Sequence, residues 1–523
     1  MIKKRILYYI IILSIIPNFI ATTNIFGQDE SAETALIKKW AENSFRNGDY
    51  EFALENYLKL YMIDDKNITY NYRLSVCYIE TNINKTAAIP YLEYVTSFKD
   101  INKTAYYYLG RAHMYNYSFE QAVEAFYEYK VSGVDERVME KVNRLIEMSY
   151  YALELMNNPK NVTFERLDTS INTPFNESNP FITSDNKTIV FSSDREYVKE
   201  LDENILNIYL SIDKKGYWEG ANKLEVCSFD NENIVGMTSD GHHILMHIDG
   251  DYATDDIHFI NKKGSKFYKE PLENLPSKLN TEDVEDGATT TFDGKTLYFS
   301  SNRAGGFGGS DIYVVKRNPD GSWGEPENLG PVINTEYDEN FPSISSDGKL
   351  LHFASKGHDG IGGYDVFMTS WIDDNKVWSP PRNKGFPINT PYDNTSISFS
   401  DKKHFYVAAN RKEGVGQLDI YKVTIGDEAA QPTIIQGNIN IGTPQSSKPY
   451  SADYLKVFVT VFDKFGNIYG KYSVDAGSFF ITIYPGEYKL EVRLDGSDKP
   501  YIENLNISDQ GFISNDIFLE PVY

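Results

Sequence analysis

Apolar residues in the first part of the chain follow a helical spacing. From about residue 31 to residue 156 they recur every three or four positions instead of alternating. The segment also repeats itself at steps of 34 and 35 residues, with a large residue beside a small one at Trp40-Ala41, Leu74-Ser75 and Leu109-Gly110. Two further sets of positions keep the same steps, Ala53, Ala87 and Ala122, and Tyr57, Tyr91 and Phe126. This period and these residue types are typical of tetratricopeptide (TPR) repeats.

We therefore predict TPR-type helical repeats over residues 31–156, made of three helix pairs and a closing helix from Val134 to Met156. One helix pair cannot bury its apolar face, so the pairs stack and leave a concave groove for a peptide or a partner helix. Tyr106, Tyr107 and Tyr108 are candidates to line this groove, and core packing is the alternative for at least one of them. The second repeat is the weakest match, because Pro90 falls near a helix start.

Alternating apolar and polar residues replace the helical spacing after about residue 161. An aspartate in a turn signal recurs every 53 to 55 residues, at Asp185, Asp240, Asp293, Asp347 and Asp401. Each is followed by two strand-like runs, joined in the third unit by the glycine-rich stretch from Ser300 to Tyr313. Short strands repeated at a fixed period predict a β-propeller. We predict a five-bladed β-propeller over residues 161–426, with six blades as the alternative.

The two ends of this array predict how it closes. The last unit stops after Tyr421-Lys422-Val423 without an outer strand of its own. The first unit is preceded by Val162–Leu167, which has the pattern of a spare outer strand. Pairing between these two segments would complete the last sheet and remove two exposed edges.

A third pattern begins near residue 432. Strand-like runs from Ile434 to Ile441, Tyr454 to Phe462, Gly477 to Tyr484, Gly486 to Leu494 and Ile517 to Leu519 are separated by turn signals. They predict a small antiparallel β-sandwich over residues 432–523. The runs Asp475–Phe480 and Pro485–Leu490 resemble the carboxypeptidase-regulatory, transthyretin-like module, which is non-catalytic in other chains that contain it.

The beginning of the chain predicts export. Met1-Ile2-Lys3-Lys4-Arg5 is basic, and a short apolar run from Ile6 to Ile16 follows it. This order is typical of a secretory signal peptide, which we place at residues 1–27. No later stretch has the length and apolarity of a membrane span. We therefore expect an exported protein without a transmembrane segment after signal removal.

Composition and charge narrow the classes of partner. The chain has 523 residues, of which 41% are hydrophobic, so packed cores are expected instead of global disorder. Its net charge of −24 would repel a phosphate backbone, and we predict no nucleic-acid partner.

Residues with reactive or metal-binding side chains do not form a recognisable motif. Cys77 and Cys227 are predicted to be buried small apolar residues. The second propeller unit has clustered histidines and aspartates, His242, His243, His247, His258, Asp249, Asp251, Asp255 and Asp256, but two of these histidines replace aromatic residues at strand positions of other units. Aspartates before the second strand of a unit, Asp256, Asp311, Asp365 and Asp419, with Asn207 in the first unit, are predicted to accept hydrogen bonds either between blades or within turns, and not to be catalytic. We therefore predict no catalytic, cofactor-binding or metal-binding residue, and no cofactor.

The order of helical repeats, propeller and regulatory-type sandwich resembles a known family. With Ser300–Tyr313 and Asp347–Phe367, the chain resembles the WD40-like (PD40) propellers of Bacteroidetes periplasmic proteins, in particular the PorE-like proteins of the type IX secretion and gliding machinery. The resemblance implies a periplasmic, outer-membrane-associated protein that connects the translocation apparatus to the cell wall. Family members usually end in an OmpA-like peptidoglycan-binding domain, whereas this sequence ends at Tyr523 after the sandwich, so direct peptidoglycan binding is not implied.

Three functions follow as hypotheses. The first is a non-catalytic scaffold that binds protein partners, an outer-membrane β-barrel or secretion and gliding components. The second is a periplasmic carbohydrate- or peptide-binding sensor. The third is a propeller hydrolase, which would require ionisable residues with perturbed pKa values to converge at one mouth of the central channel.

Overall fold

The computed structural model describes residues 29–133, 135–199, 203–227, 231–249, 256–264, 266–269, 278–373, 376–426, 433–451, 456–472, 474, 477–497, 499–507 and 512–520. The predicted signal peptide and the positions Asp251 and Asp255 lie outside these residues. The chain divides into two compact units, one ending at Tyr151 and one starting at Ala152. The predicted order of a helical N-terminal part followed by mostly β-structure is confirmed.

The helical part contains seven α-helices and one short 3-10 turn among the described residues. They are α1 (Asp29–Arg46), α2 (Tyr50–Ile63), α3 (Ile68–Glu80), the 3-10 turn Lys85–Ala87, α4 (Ala88–Thr96), α5 (Thr104–Tyr115), α6 (Phe119–Val131) and α7 (Glu136–Asn157). Consecutive helices contact each other as hairpins, α1 with α2, α3 with α4 and α5 with α6.

Local sequence explains several of the helix ends and contacts. The Asp49 side chain caps α2 by accepting from the backbone N–H of Phe52 at 3.2 Å. Pro90 lies in the first turn of α4, where its missing N–H costs no helical hydrogen bond. A side chain in place of Gly110 would collide with the ring of Phe126, 2.4 Å from the position of its Cβ. The small residue of α5 therefore makes room for the aromatic residue of α6.

Five antiparallel sheets follow along the chain. Sheet 1 contains β2 (Glu177–Ile182), β3 (Thr188–Val198), β4 (Glu203–Ile212) and β5 (Asn222–Lys223). Sheet 2 contains β6 (Asn231–Met237), β7 (His243–Asp249), β8 (Asp256–Lys263) and β9 (Lys266–Lys269). Sheet 3 contains β10 (Gly287–Thr290), β11 (Thr296–Ser301), β12 (Asp311–Lys316) and β13 (Glu327–Asn328).

The last two of these sheets differ from the others at their outer edges. Sheet 4 contains β14 (Glu339–Ile344), β15 (Leu350–Ser355), β16 (Asp365–Ile372), β17 (Val377–Trp378) and β18 (Arg382–Asn383). Sheet 5 contains β19 (Ile397–Phe399), β20 (His404–Ala409), β21 (Asp419–Ile425) and, as its outer strand, β1 (Val162–Arg166). Val162 pairs with Ile425 and Arg166 with Tyr421, so the predicted pairing between the two ends of the array is present.

The predicted aspartate turns join the first and second strands of each sheet. In sheet 3 the Thr291 hydroxyl and the Lys295 backbone N–H both donate to the Asp293 carboxylate, at 2.8 and 3.1 Å. These hydrogen bonds hold the pKa of Asp293 below its ordinary value. Gly294 has a φ of 63°, a conformation in which a Cβ would be strained. This combination explains why the turn signal recurs with an aspartate and, in three of the units, a following glycine.

Two further sheets form the C-terminal part. Sheet 6 contains β22 (Thr433–Thr443), β23 (Ser446–Pro449), β26 (Ser478–Ile483) and β29 (Phe512–Leu519). Sheet 7 contains β24 (Val457–Asp463), β25 (Ile468–Tyr472), β27 (Gly486–Leu494) and β28 (Tyr501–Ile507). The two sheets share one core that includes Ile435, Val461, Phe479 and Val492.

The predicted sandwich requires two corrections. It is not wholly antiparallel, because β29 pairs with β22 in parallel, with Ile434 opposite Phe512 and Ile441 opposite Leu519. The second correction is that strands β23, β25 and β28 were not predicted. All four residues of β23 are exposed, and β28 has polar residues between its apolar ones, so neither gives a clear strand pattern. The parallel pair brings the last described strand beside the first strand of this part, a non-local pairing that the strand pattern does not encode.

Candidate functional site

The first strand of each sheet in chain order, β2, β6, β10, β14 or β19, is here called its inner strand. In sheets 1, 3 and 4 a fully buried glutamate lies at or just before the first residue of this strand, namely Glu177, Glu285 and Glu339. In sheet 3 the Glu285 carboxylate accepts hydrogen bonds from the backbone N–H and hydroxyl of Thr281, at 2.8 and 2.9 Å, and from the Ser301 hydroxyl at 2.6 Å. The other two glutamates have the corresponding partners. These three glutamates are not among the residues predicted from the sequence, although each lies four positions after the threonine of an Asn-Thr pair.

The asparagine of each Asn-Thr pair connects a sheet to the loop before the next one. Asn334 precedes sheet 4 and bonds Ile312 of sheet 3, accepting from its backbone N–H at 2.8 Å and donating to its carbonyl at 2.9 Å. Asn172 precedes sheet 1 and makes the same two contacts with Ile420 of sheet 5. One polar contact is thus repeated between successive sheets and also between the last sheet and the first.

An arginine completes the buried glutamate site in sheets 1 and 3. The Arg303 guanidinium donates to Glu285 at 2.9 Å and to the Leu279 carbonyl at 2.7 Å, and it lies 4.8 Å from the ring centre of Phe299. Arg195 repeats the arrangement with Glu177. Both arginines therefore use their charge and hydrogen bonds inside the sheet, which indicates a structural role.

Sheet 4 keeps the glutamate without the arginine. Gly357 occupies the position of Arg303, and a Cβ there would lie 1.7 Å from the Thr335 hydroxyl oxygen. His358 instead contacts the Ile333 carbonyl through Nε2 at 2.8 Å. Glu339 forms no ion pair with lysine or arginine within the described residues, and burial raises its pKa to about 7 in spite of hydrogen bonds from Ser355 and Thr335.

Sheet 5 keeps the arginine without the glutamate. Asn394 stands where the other sheets have Glu285 or Glu339, and it accepts from the Thr390 backbone N–H at 2.7 Å. Arg411, at the position of Arg303, pairs with Glu413 at 2.9 Å and with Asp463 of the C-terminal part at 2.9 Å.

The contact between sheet 5 and the C-terminal part has further members. Asn467 donates to Glu413 at 2.8 Å and accepts from the Lys412 backbone N–H at 3.2 Å. The Arg411 guanidinium also lies 4.0 Å from the ring centre of Phe164, in the outer strand β1. The loop after β20, the end of β24 and the outer strand of sheet 5 therefore meet at the Arg411 side chain.

Of the two roles predicted for the repeated aspartates, between blades or within turns, their described side chains show hydrogen bonds from turns. Asp311 accepts from the backbone N–H groups of Phe307 and Gly308, at 2.6 and 3.2 Å. Asp365 and Asp419 make the corresponding contacts with their glycine-rich loops. Burial raises the pKa of Asp365 to about 7, although turn amides lower it. Asn207, the replacement in sheet 1, donates to Glu196 at 3.1 Å.

The inner strands of the five sheets lie close together. Contacts link β14 with β10, β10 with β6, β6 with β2, and β2 with β19. A cavity of about 10 Å³, room for about one water molecule, is lined by inner-strand and adjacent residues of sheets 1, 2, 4 and 5, among them Phe181, Val235, Phe341 and Ile397. The space between the inner strands is therefore narrow and largely apolar at this level.

A polar cluster lies beside the beginning of inner strand β10. The Asp286 carboxylate accepts from Ser300 at 3.2 Å and from the Asn340 amide at 2.7 Å. Burial raises the pKa of Asp286, while its hydrogen bonds and the nearby His247 lower it. Sheets 2, 3 and 4 thus converge on this carboxyl group.

A second acid belongs to the same cluster. Asp338 accepts from the Lys356 ammonium at 2.8 Å and lies 3.4 Å from the Tyr364 hydroxyl. Lys356 also lies 4.3 Å from the ring centre of Tyr364. Burial, and after it the charges of Asp338 and Asp286, raise the pKa of Tyr364.

These groups do not have the geometry of an activated nucleophile. The Ser300 hydroxyl is fully buried, and its hydrogen bonds go to Asp286, the Gly287 carbonyl and Asn340 instead of a histidine. A nucleophilic serine needs a neighbouring base that is itself oriented by a third group. The Ser300 hydroxyl instead links strands of sheets 3 and 4 through Asn340.

The histidines of sheet 2 are distributed over different contacts. His242 pairs with Asp240 at 3.2 Å, and His243 contacts Asn261. His247 lies opposite Ile257 in the strand register, whereas His258 lies opposite Met246. Within the described part of the chain, no three His, Cys, Asp or Glu side chains are grouped so that they could hold a metal ion.

The two cysteine thiols differ in their burial. Cys77 is fully buried and Cys227 partly buried, and burial raises the pKa of each thiol to about 12. Neither side chain is poised as a thiolate at neutral pH. Among the described helices, none combines the length and apolarity needed to cross a membrane.

The helical part has its own strip of aromatic and basic side chains. The Arg73 guanidinium of α3 lies 4.2 Å from the ring centre of Phe45 in α1. Tyr72 of α3 packs against Tyr108 of α5 with ring centres 6.2 Å apart, and Arg111 lies 5.8 Å from the same Tyr108 ring. Two of the three tyrosines predicted for the groove, Tyr107 and Tyr108, thus belong to a ring cluster and are only partly buried.

Comparisons with known proteins leave the family open. No family model and no curated protein matches the sequence. The structure is similar to prolyl oligopeptidase B from Galerina marginata at 13% identity, covering 70% of this chain and 62% of that one with a TM-score of 0.24. It is also similar to an α-L-arabinofuranosidase from Lactobacillus brevis at 11% identity, covering 50% and 92% with a TM-score of 0.32.

A third similar structure is a neuraminidase-like protein of the influenza virus A/flat-faced bat/Peru/033/2010, at 7% identity, covering 51% of this chain and 94% of that one with a TM-score of 0.31. The chain spans about three fifths of the length of the prolyl oligopeptidase. At these scores the similarities carry no argument about function.

Proposed function

We propose that this protein is a non-catalytic periplasmic scaffold that binds protein partners of an outer-membrane complex, in type IX secretion or gliding motility. In this proposal residues 31–156 are TPR-type repeats, residues 161–426 are a closed five-bladed β-propeller, and residues 432–523 are a transthyretin-like sandwich. The sequence resemblance to PorE-like proteins supplies the cellular setting.

The repeated contacts between sheets support a closed propeller. Inner strands contact one another in the order β14, β10, β6, β2 and β19, and the strands at the two ends of this series, β14 and β19, border the same cavity. The Asn172 contact with Ile420 joins the last sheet to the first in the way that Asn334 joins sheets 3 and 4. The pairing of β1 with β21 completes sheet 5 with a strand from before sheet 1.

One observation carries the non-catalytic assignment: the polar residues that recur along the array make contacts within and between sheets. Glu285 is held by Thr281, Ser301 and Arg303, and Asp311 by its own turn. Such residues recur because each sheet needs the same hydrogen bonds. Their recurrence therefore has a structural cause and not a catalytic one. The strip around Arg73 and Tyr108 is the proposed contact surface of the helical part.

A pull-down tests this proposal. The tagged full-length chain is expected to recover outer-membrane or secretion components from envelope fractions, identified by mass spectrometry. Arg73→Gln and Tyr108→Ala are expected to reduce recovery, whereas Arg137→Gln on the exposed surface of α7 is the matched control. Recovery of abundant soluble proteins alone, with no outer-membrane component, would contradict the scaffold proposal.

The polar cluster around Asp286 favours a second candidate, a periplasmic carbohydrate- or peptide-binding sensor. Ionisable groups from three sheets converge there, and several have perturbed pKa values. Glycan and peptide arrays probed with the full chain would separate the sensor from the scaffold. The same convergence is the feature required of a propeller hydrolase, but the hydrogen bonds of Ser300 do not supply a nucleophile.

A further inference from the structure

Lys384 carries a positive charge that no carboxylate balances. It directly follows strand β18 of sheet 4, is half-buried, and forms no ion pair with an acid among the described residues. Its ammonium lies 5.4 Å from the ring centre of Phe399 in sheet 5. Lys356, another half-buried lysine of sheet 4, pairs with Asp338 at 2.8 Å. A partly desolvated cation without such a partner gains more from an added anion than an exposed cation does, because water screens it less.

A second lysine without an acidic partner lies beside Lys384. The backbone N–H of Lys160 donates to the Phe386 carbonyl at 2.7 Å. The Lys160 side chain crosses Gly385, the residue after Lys384, because a Cβ on that glycine would lie 2.9 Å from Cε and 3.2 Å from Cγ of the lysine. Burial, and after it the charge of Lys160, lower the pKa of Lys384. Two ammonium groups therefore repel each other here, and in the described part of the chain neither is paired with a carboxylate.

A buried histidine faces the same space between sheets 4 and 5. His352 is 4% exposed, its Nε2 has no hydrogen-bond partner among the described residues, and its ring stacks on Phe399 with centres 4.3 Å apart. In the strand register His352 lies opposite Met368, and Met368 lies opposite Arg382, so the three side chains share one face of the sheet. Lys384 follows Arg382 by two residues and continues the strand ladder through its backbone N–H, which places its side chain on that face too.

The histidine can donate a hydrogen bond without adding charge. Burial, and after it the charge of Lys384, hold the pKa of His352 well below its ordinary value of 6.5. A neutral imidazole has one N–H donor and one acceptor nitrogen. Two ammonium groups and one imidazole N–H are donors without a fixed acceptor, and oxygen atoms of an anion would accept from all three while reducing the repulsion between the lysines.

We propose that Lys160, Lys384 and His352, here called the Lys384 site, bind the phosphate group of a small phosphorylated molecule. A phosphate monoester carries nearly two negative charges at neutral pH, which matches the two lysines. The net charge of −24 would repel an extended polyanion or an anionic membrane, so a small ligand is favoured. This site goes beyond the proposed scaffold function, and the pull-down of outer-membrane components does not depend on it.

Isothermal titration calorimetry of the full chain at about pH 7.5 and about 0.15 M salt tests the inference. The probes are inorganic phosphate, glycerol 3-phosphate, acetate, and vesicles of phosphatidylglycerol. We expect both small phosphates to bind at least about ten-fold more tightly than acetate, because a dianion attracts both ammonium groups more strongly, and we expect no binding of the vesicles.

Matched variants assign the binding to the site. Lys384→Met keeps the apolar stem without the charge and should weaken phosphate binding at least about ten-fold. Lys160→Met, at an exposed position, should weaken it about three-fold or more. Lys316→Gln removes the same charge from an exposed position of sheet 3 and should leave phosphate binding unchanged. Since Lys384→Met removes an unpaired charge, its urea midpoint without phosphate should be no lower than that of the unmodified chain.

Four results would overturn the inference. They are acetate binding as tight as phosphate binding, an unchanged phosphate affinity in Lys384→Met and Lys160→Met, an equal loss in Lys316→Gln, and binding of the vesicles without binding of the small phosphates. The third would indicate a general effect of charge, and the fourth would indicate a membrane-binding surface. If Lys384→Met lowers the urea midpoint, Lys160→Met alone decides the result.

Discussion

Sheets 3 and 5 each have an Asn-Arg pair directly after the second strand, Asn302-Arg303 and Asn410-Arg411. In both sheets the guanidinium lies over aromatic rings, but the carboxylates that it pairs with differ. Arg303 pairs with Glu285 of its own sheet, whereas Arg411 pairs with Glu413 and with Asp463 of the C-terminal part.

The change of partner follows from one replaced residue. Sheet 5 has Asn394 in place of the buried glutamate, and Ala409 in place of the serine that precedes the Asn-Arg pair in sheet 3. Without that acid, Arg411 has no carboxylate of its own sheet's first strand to pair with and is available to Asp463 at the end of β24. The arginine that stabilises its own sheet in sheet 3 therefore connects sheet 5 to the C-terminal part.

Sheet 4 gives a third form of the same position. His358 keeps the contact with the carbonyl of the preceding loop but does not neutralise Glu339, whose pKa is raised to about 7 by burial. The three sheets therefore balance the charge at this position in different ways. Sheet 3 pairs Arg303 with its own Glu285, and sheet 5 pairs Arg411 with Asp463 of the C-terminal part. Sheet 4 has no arginine there, and burial favours the protonated form of Glu339.

The largest effect is expected for Glu285→Ala. This change leaves the Arg303 guanidinium, which is 14% exposed, without its carboxylate and removes the acceptor of Thr281 and Ser301. Breaking a buried ion pair on one side costs about 3–5 kcal/mol. The free energy of unfolding in urea, followed by tryptophan fluorescence, measures it, and Glu282→Ala in the same exposed loop is the control. A loss below that of the control would mean that Arg303 is balanced elsewhere.

Glu339 is expected to make stability depend on pH. Its folded pKa of about 7 lies above the ordinary value of 4.5, so the folded state binds more protons than the unfolded state between these values. The contribution of Glu339 is therefore fully present below about pH 4.5 and is lost as pH rises towards 7, by up to about 3 kcal/mol. Relative to the unmodified chain, Glu339→Gln should gain stability over this range.

Urea midpoints at pH 4.5, 5.5, 6.5 and 7.5 measure this difference, with Glu336→Gln as the exposed control. A constant difference between Glu339→Gln and the unmodified chain across the series would show that Glu339 is ionised throughout.

The contact between Arg411 and Asp463 should show a measurable coupling energy. Both side chains are at most one quarter exposed, and the pair is shared with Glu413. A double-mutant cycle of Arg411→Ala and Asp463→Ala is expected to give about 1–2 kcal/mol. The cycle of Arg303→Ala with Asp463→Ala should give a value near zero, because these residues have no common partner. Additive effects in the first cycle would show that the contact does not stabilise the folded chain.

The smallest effect is expected from giving sheet 5 the missing acid. Asn394→Glu places a carboxylate at the position equivalent to Glu285, which pairs with Arg303 in sheet 3. The new carboxylate should compete with Asp463 for Arg411. The coupling energy between Arg411 and Asp463 should then fall by about 0.5–1 kcal/mol. Asn394→Gln has the same length without the charge and should leave the coupling unchanged. An unaltered coupling in both variants would indicate that the backbone, and not Asn394, directs the arginine.

Much of the architecture could be predicted from spacing alone. The steps of 34 and 35 residues between Ala41, Ser75 and Gly110 indicated helix pairs, and the turn aspartates indicated repeated sheets, because helical and strand periodicities are local properties. The outer-strand pattern of Val162–Leu167 and the missing strand after Val423 predicted the pairing that is present. The buried glutamates also had a regular spacing. A glutamate at the start of a strand is nevertheless predicted to be exposed as long as its hydrogen-bond partners are unknown.

The sequence by itself determined the type of most elements, although not strands β23, β25 and β28, and the places where the pattern changes, since these depend on neighbours along the chain. Only the tertiary structure decided that Arg303 and Arg411 have different partners, that β29 lies parallel to β22, and that Asp286 is bonded to Asn340 of sheet 4. Each of these contacts joins residues about 20 to 80 positions apart. Their energies depend on burial and on which charges share a low-dielectric space, and neither quantity is a property of the local sequence.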